Sequence, residues 1–251
     1  MAGERTAGRK VFEIGGRDRE HFLQGIVTND ISRLSEGMIY AALLSPQGKY
    51  LADFFLVPDG ERVLLDVAEP LAADLLKRLT IYRLRAEVLI GPVEINVLRG
   101  LGPAPQGAFP DPRHETLGWR RYTEEAGAPA EIDWDAIRVA ACIPETGIEL
   151  LPNDSYILES GFERLHGVDF RKGCYVGQEV TARMKHKTEL RKGLVTVGVE
   201  GEAPVGTEIT QNDRPAGRLF TQSGGRGIAF LRFDRAEGPM RAGSAVVTWE
   251  S

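Results

Sequence analysis

Cys174 is the residue best equipped for chemistry in this 251-residue chain. It stands in KGCYVGQEVTARM, Lys172 to Met184, one glycine after Arg171 and Lys172 and ahead of a segment with helical spacing. A helix N-terminus and two neighbouring cations all favour thiolate over thiol, so the expected chemistry is that of a metal ligand or a nucleophile. Gly173 and Gly177 leave the backbone bare on either side, which permits close approach by a ligand or a strained entry into the helix. From Val176 onward, helical periodicity sets Val176, Val180 and Met184 on one face and spaces Glu179 and Arg183 as an i,i+4 ion pair.

Two further residues carry chemistry. Period-2 counting along Lys49 to Val57 puts Asp53 on the same face as Leu51, Phe55 and Val57. A carboxylate on an apolar face is costly unless it meets a donor, and both a nearby arginine and a ligand meet that need. Arg138 projects from a helix that Asp133 caps and Pro144 stops; its fork suits a carboxylate, and an ordinary ion pair satisfies it equally. Cys142, in VAACIP, reads as a small buried hydrophobe. Arg164, Arg171, Lys172, Arg183, Lys185, Lys187, Arg191 and Lys192 crowd one stretch, either as a solvated face or as an anion-binding mouth.

The elements that position these residues are mixed. Lys10–Ile14 reads as a strand, followed by a helix capped by Asp18 that carries Phe22, Leu23 and Ile26 inward; it ends in the turn-forming run Gln24 to Asp30. Strands follow over Met38–Leu44, Lys49–Val57 and Arg62–Val67, with the turn Ser45-Pro46-Gln47-Gly48 between the first two. Pro70 opens a helix with a Leu71, Leu75, Leu76, Leu79 stripe, and strands return over Ala86–Ile90, Val93–Leu98 and Trp119–Tyr122. A short helix is expected over Ser160–His166. Hairpins among helices predict an α+β layer. After Arg191, five short β runs separated by Gly, Pro and Asn-Asp turns predict a small barrel, with domains at 1–191 and 192–251.

Composition narrows the function. A net charge of -5 argues against general affinity for nucleic acid or an anionic membrane. Two cysteines provide neither a disulfide framework nor a four-cysteine metal cage, so any metal or cluster needs a partner's ligands. The opening MAGERTAGRK lacks the apolar core of a secretory signal, and a cytoplasmic protein is expected. Dinucleotide, phosphate-loop and nucleophile-elbow motifs are absent.

KGCYVGQE, together with LQGIVTND at Leu23–Asp30 and LLSPQGKYLADF at Leu43–Phe54, resembles the YgfZ family of folate-binding proteins, relatives of the glycine-cleavage aminomethyltransferase. The resemblance implies a three-part ring of mixed α/β subdomains that accepts tetrahydrofolate, with a small β-barrel last. It also implies service in iron-sulfur cluster assembly or repair, including tRNA-modifying cluster enzymes, with cluster carriers or clients as partners; nothing in the sequence demands a dimer, and a monomer is expected. Carried over by residue, it makes Cys174 and Asp53 catalytic. Asp53, Arg138, Lys172, Gly173, Tyr175, Gln178, Glu179 and Arg183 become the folate set, with Arg171, Lys172 and Arg183 meeting the tail carboxylates. Val139-Ala140 departs from the family's usual pair beside Arg138, and a YTGExGFE-like segment is missing. A true one-carbon transferase and a simple redox or scaffold module are the competing readings.

Overall fold

The computed structural model describes residues 3–187 and 189–250, the side chain of Lys187 excepted. Two compact units emerge, Met1–Ile132 with Glu163–Val180, and Asp133–Phe162 with Thr181–Ser251.

The first unit holds β1 (Glu4–Arg5), β2 (Arg9–Gly15), α1 (Arg19–Gln24), β3 (Ile39–Leu44), β4 (Tyr50–Asp59), β5 (Arg62–Ala68), α2 (Glu69–Arg83), β6 (Leu89–Val93), β7 (Asn96–Gly100), β8 (Ala108–Pro110) and β9 (Trp119–Thr123). Five strands form an antiparallel sheet in the order β3-β4-β5-β2-β6. Alternation decides what each face carries. Ile39, Ala41, Phe54, Leu56, Leu65, Val67, Phe12 and Ile14 join Phe22 and Leu23 of α1 and Ala72, Leu75 and Leu79 of α2 in one apolar core. Pro70 sits in the first turn of α2, where its missing N–H is harmless. The alternate residues Tyr40, Asp53, Phe55 and Asp66 point the other way. Arg120 and Tyr122, from the second antiparallel sheet β1-β7-β9-β8, meet them there. Both faces are therefore covered, and every residue of β3 is buried.

Asp18 does start α1, but its side chain makes no cap. Its Oδ2 accepts instead from the Glu87 N–H at 2.8 Å. The helix expected over Ser160–His166 is a run of turns, because Gly161 and His166 take left-handed φ values of 79° and 54° that no right-handed helix contains.

In the second unit, α3 (Trp134–Ala140) begins as expected, with Asp133 Oδ1 accepting from the Ala136 N–H at 2.9 Å. It ends in a Schellman motif. The Cys142 N–H donates to Val139 O at 3.3 Å and the Ile143 N–H to Arg138 O at 2.9 Å, with Cys142 at φ 50° where glycine is usual. Cys142 is half-buried rather than a core residue, because it serves this cap.

The helix α4 (Gln178–Lys187) leads toward β10 (Lys192–Glu200), β11 (Thr207–Gln211), β12 (Arg214–Ser223), β13 (Arg226–Arg232), β14 (Met240–Ala242) and β15 (Ala245–Thr248). These six strands close in the order β10-β13-β12-β11-β14-β15 around Val197, Ile209, Leu219, Ala229, Leu231 and Val247. Closure leaves no free sheet edge in the barrel. Among the described residues no helix is long and apolar enough to cross a membrane.

Candidate functional site

The three sequence motifs meet in the first unit. The Thr28 hydroxyl donates to Gly167 O at 2.6 Å and accepts from the Ala42 N–H at 2.8 Å, with no exposure of Thr28. Asn29 Nδ2 donates to His166 O at 2.8 Å and to Tyr40 O at 2.7 Å. The Asp169 N–H donates to Thr28 O at 3.0 Å. The loop that follows is held by Lys172, whose Nζ donates to Val27 O at 2.5 Å and Asn29 O at 2.9 Å. Burial draws the Lys172 ammonium down to about 8, against the opposing pull of Asp30 and Asp169. Its Nζ also lies 5.2 Å from the centroid of the Tyr175 ring. Lys172 thus anchors the loop from beneath, and its charge faces backbone carbonyls rather than a rim.

The far end of the loop is fixed by backbone packing. Gly177 has φ 82°, and a Cβ there would stand 2.5 Å from Ser45 O, 2.9 Å from Leu44 Cβ and 3.2 Å from Gly48 Cα. Gly48, at φ 74°, would press its own Cβ against Val180 at 2.7 Å. The close approach anticipated at Gly177 is made by the Ser45–Gly48 turn of the chain itself. The positive φ at Gly177 also delays the helix to Gln178, two residues later than the spacing of Val176 suggests. Gln178 Oε1 reaches back to accept from the Tyr175 N–H at 3.2 Å.

Between these anchors Gly173 and Cys174 are exposed. Tyr175 and Gln178 are half-buried, and Glu179 and Arg183 are exposed; among the described residues neither of the last two joins an ion pair, so the expected pair does not form. Lys187 of the basic stretch lies outside the described side chains.

Asp53 stands on the opposite sheet face, 7% exposed, with Oδ2 accepting from Tyr40 Oη at 2.9 Å and Oδ1 from Tyr50 Oη at 2.6 Å. Burial, then the Asp53 carboxylate, raises the Tyr40 hydroxyl well above its usual range, which keeps it a donor. Around it lies a cluster that sequence reasoning did not find. Asp66 accepts from Arg9 Nε at 2.6 Å and Tyr122 Oη at 2.9 Å. Asp111 accepts from Arg113 Nη2 at 2.8 Å and Arg120 Nε at 2.9 Å. Burial alone would raise the Asp111 carboxyl, but the two guanidinium groups more than offset it and hold it well below the usual carboxylate range. The Arg120 and Arg113 guanidinium carbons lie 4.1 and 4.9 Å from the Phe55 ring centroid. Three arginines and three aspartates balance in the interior, as buried charges require. Only the run of Asp111 with Arg113, Arg120 and Arg121 hinted at part of it.

Arg138 belongs to the second unit. Its guanidinium lies 2.9 Å from Asp135, 3.0 Å from Glu145 and 3.3 Å from Glu149, and donates to Ile143 O at 2.9 Å. At 5% side-chain exposure it is a structural cross-link. Of the predicted folate set, Asp53, Arg138 and Lys172 have partners within the protein, and Gly173, Glu179 and Arg183 are exposed.

Comparison with known proteins gives this geometry a family. The chain is 30% identical over 94% of its length to a mouse mitochondrial protein, iron-sulfur cluster assembly factor IBA57, and covers 79% of it. The chain belongs to the IBA57 family. The human IBA57 is 29% identical with the same coverage of both chains, 94% and 79%. A homolog from Mycosarcoma maydis is 31% identical over 74% of this chain and 54% of its own. Residues 191–251 match the CAF17 C-terminal beta-barrel domain. Among solved structures, the glycine cleavage system aminomethyltransferase T of Bartonella henselae superposes with a TM-score of 0.75 over 99% of this chain and 84% of its own. At 13% identity that likeness is one of fold, and it bears out the expected aminomethyltransferase-like α+β fold with a closed barrel. The IBA57 relatives are mitochondrial, which overturns the cytoplasmic expectation. Lacking a secretory-type apolar core speaks only to secretion and does not separate the remaining compartments.

Proposed function

We propose that this IBA57-family protein acts in iron-sulfur cluster assembly, presenting Cys174 as a thiol for a cluster held jointly with another protein. The observation that carries this reading is the exposure of Cys174 on a loop pinned at both ends, by Lys172 beneath it and by the contact of Gly177 with the Ser45–Gly48 turn. A pinned loop presents a ligand atom at low entropic cost, and an exposed thiol is open to a second protein. Among the described residues no group of three or more His, Cys, Asp or Glu is placed to hold a metal ion, so a cluster at Cys174 takes its other ligands from the partner. The cluster is cargo in this scheme.

The test is complementation of cells lacking the protein with the Cys174→Ser variant, scored by the activity of cluster-dependent enzymes. Loss of activity with an unchanged thermal midpoint is expected, since Cys174 contributes nothing to the core. Full rescue would refute the role of the thiol.

Tetrahydrofolate binding is the finer part of the proposal, as are YgfZ-type support of tRNA-modifying enzymes and recognition of cluster carriers or clients. These rest on the motif resemblance. Arg183 is the predicted folate cation that is exposed and, among the described residues, joins no ion pair, and no step of the cluster role depends on folate. Calorimetry with tetrahydrofolate decides it. Saturable binding weakened by Arg183→Ala supports the assignment, and absence of heat removes folate while leaving the thiol reading intact.

A further inference from the structure

The two sheets of the first unit exchange chain at one seam. The chain leaves the four-stranded sheet after β1 and enters the five-stranded sheet at β2, then returns from β6 to β7 through Glu94 and Ile95. Where these two crossovers run side by side lies a cleft of about 210 Å³, lined by Arg5, Arg9, Lys10, Glu94 and Asn96 among others. With Arg9 neutralised by Asp66, the lining still carries Arg5 and Lys10 against Glu94. Arg5 and Lys10 are exposed and, among the described residues, neither joins an ion pair. Arg9 is half-buried and held in place from behind, with Nε on Asp66 Oδ1 at 2.6 Å and Nη2 on Asp66 O at 2.8 Å, while Nη1 donates to nothing among the described residues.

We propose that this cleft binds a small oxyanion, the phosphate or carboxylate group of a low-molecular-weight solute. Arg9 supplies a preorganised, oriented donor edge, because Asp66 fixes its guanidinium plane before any ligand arrives. Arg5 on β1 and Lys10 on β2 add two exposed charges to the lining of the same cleft. Glu94, exposed on the opposite crossover, limits how much negative charge the cleft tolerates. The ligand therefore turns its anionic group toward Arg5, Arg9 and Lys10, and a hydroxyl or ammonium donor toward Glu94 and Asn96. None of these residues takes part in presenting Cys174, so the inference stands apart from the proposed function.

The test is titration of the full-length protein with inorganic phosphate and, separately, with citrate, at ionic strength held constant with sodium chloride. Thermal midpoint and calorimetric heat are the readouts. A saturable rise in midpoint is expected with at least one of the two, and the responding probe tells phosphate from carboxylate chemistry. The Arg5→Ala, Lys10→Ala double variant should weaken that binding by about tenfold or more, the effect of losing one charge-assisted hydrogen bond or two. Glu94→Gln should strengthen it, a change in the opposite direction that loss of fold cannot produce. Failure of both probes to give a saturable response would overturn the proposal, as would equal binding by the double variant or weaker binding by Glu94→Gln.

Discussion

Gly177→Ala tests the account of how the thiol is presented. Two independent penalties arise at this position. A side chain at φ 82° is held in left-handed space, at about 1–2 kcal/mol. The new Cβ also meets Ser45 O at 2.5 Å and Leu44 Cβ at 2.9 Å, with backbone rather than a flexible side-chain tip as the first obstacle. Such overpacking costs about 1–3 kcal/mol. The sum, about 2–5 kcal/mol, corresponds to a fall in thermal midpoint of about 4–20 °C for a chain of this size. Gly173→Ala, four residues earlier, is the matched control. A Cβ there meets nothing within 4 Å and the residue is not at positive φ, so the substitution is neutral or slightly stabilising through the unfolded chain. Unfolding by heat and urea measures the stabilities, and peptide mapping after brief alkylation measures how fast Cys174 reacts. Gly177→Ala should destabilise and change the alkylation rate of Cys174, and Gly173→Ala should leave the fold intact. Equal midpoints for Gly177→Ala and wild type would refute the close contact between the cysteine loop and the Ser45–Gly48 turn.

Two pH-dependent effects follow from the buried charges. The Lys172 ammonium is lowered from 10.5 to about 8 in the folded protein, so between those values the unfolded chain binds the extra proton and stability rises with pH. Lys172→Met should flatten that rise in urea midpoints measured from pH 7 to 10.5, and an unchanged slope would count against a buried ammonium. Asp111 titrates well below its usual range, so its contribution is present above pH 3.8 and is lost as pH falls further, toward the folded value. Asp111→Asn should cost about 3–5 kcal/mol at neutral pH by leaving Arg113 and Arg120 short of a charge. The gap to wild type should narrow on acidification; a gap that stays constant down to pH 2 would contradict the ion-pair origin.

What could be read in the sequence depended on how local the cause was. Five of the six barrel strands were legible because alternation and turn residues repeat every few positions, whereas the three-residue β14 is too short to show a pattern. The face of Asp53 was also legible, since period 2 is a property of one strand. Its surroundings were not: Tyr40 arrives across a hairpin, and Arg113, from the β8–β9 connection, and Arg120, from β9, come some sixty residues later. Lys172 shows the same limit. Its position beside Cys174 suggested a cation for the thiol or a ligand, whereas the structure turns it toward Val27 and Asn29. Helical spacing misled at Ser160–His166 because side-chain periodicity says nothing about positive φ at Gly161 and His166. The cap at Cys142 was missed because cysteine rarely takes the position usually given to glycine.

The ties that hold the cysteine loop also set a schedule. Lys172 reaches back 145 residues to Val27 and 143 to Asn29, and the Thr28 hydroxyl spans 139 to Gly167. At ordinary synthesis rates of about 5–20 residues per second, the carbonyls that receive Lys172 leave the ribosome roughly 7–30 s before the lysine does. Contacts so distant along the chain also close slowly once both ends exist. During that interval the strand and turn that await the loop are already made, and the thiol has not yet been translated. A young chain is therefore without its pinned, exposed cysteine loop until most of its length has been synthesised.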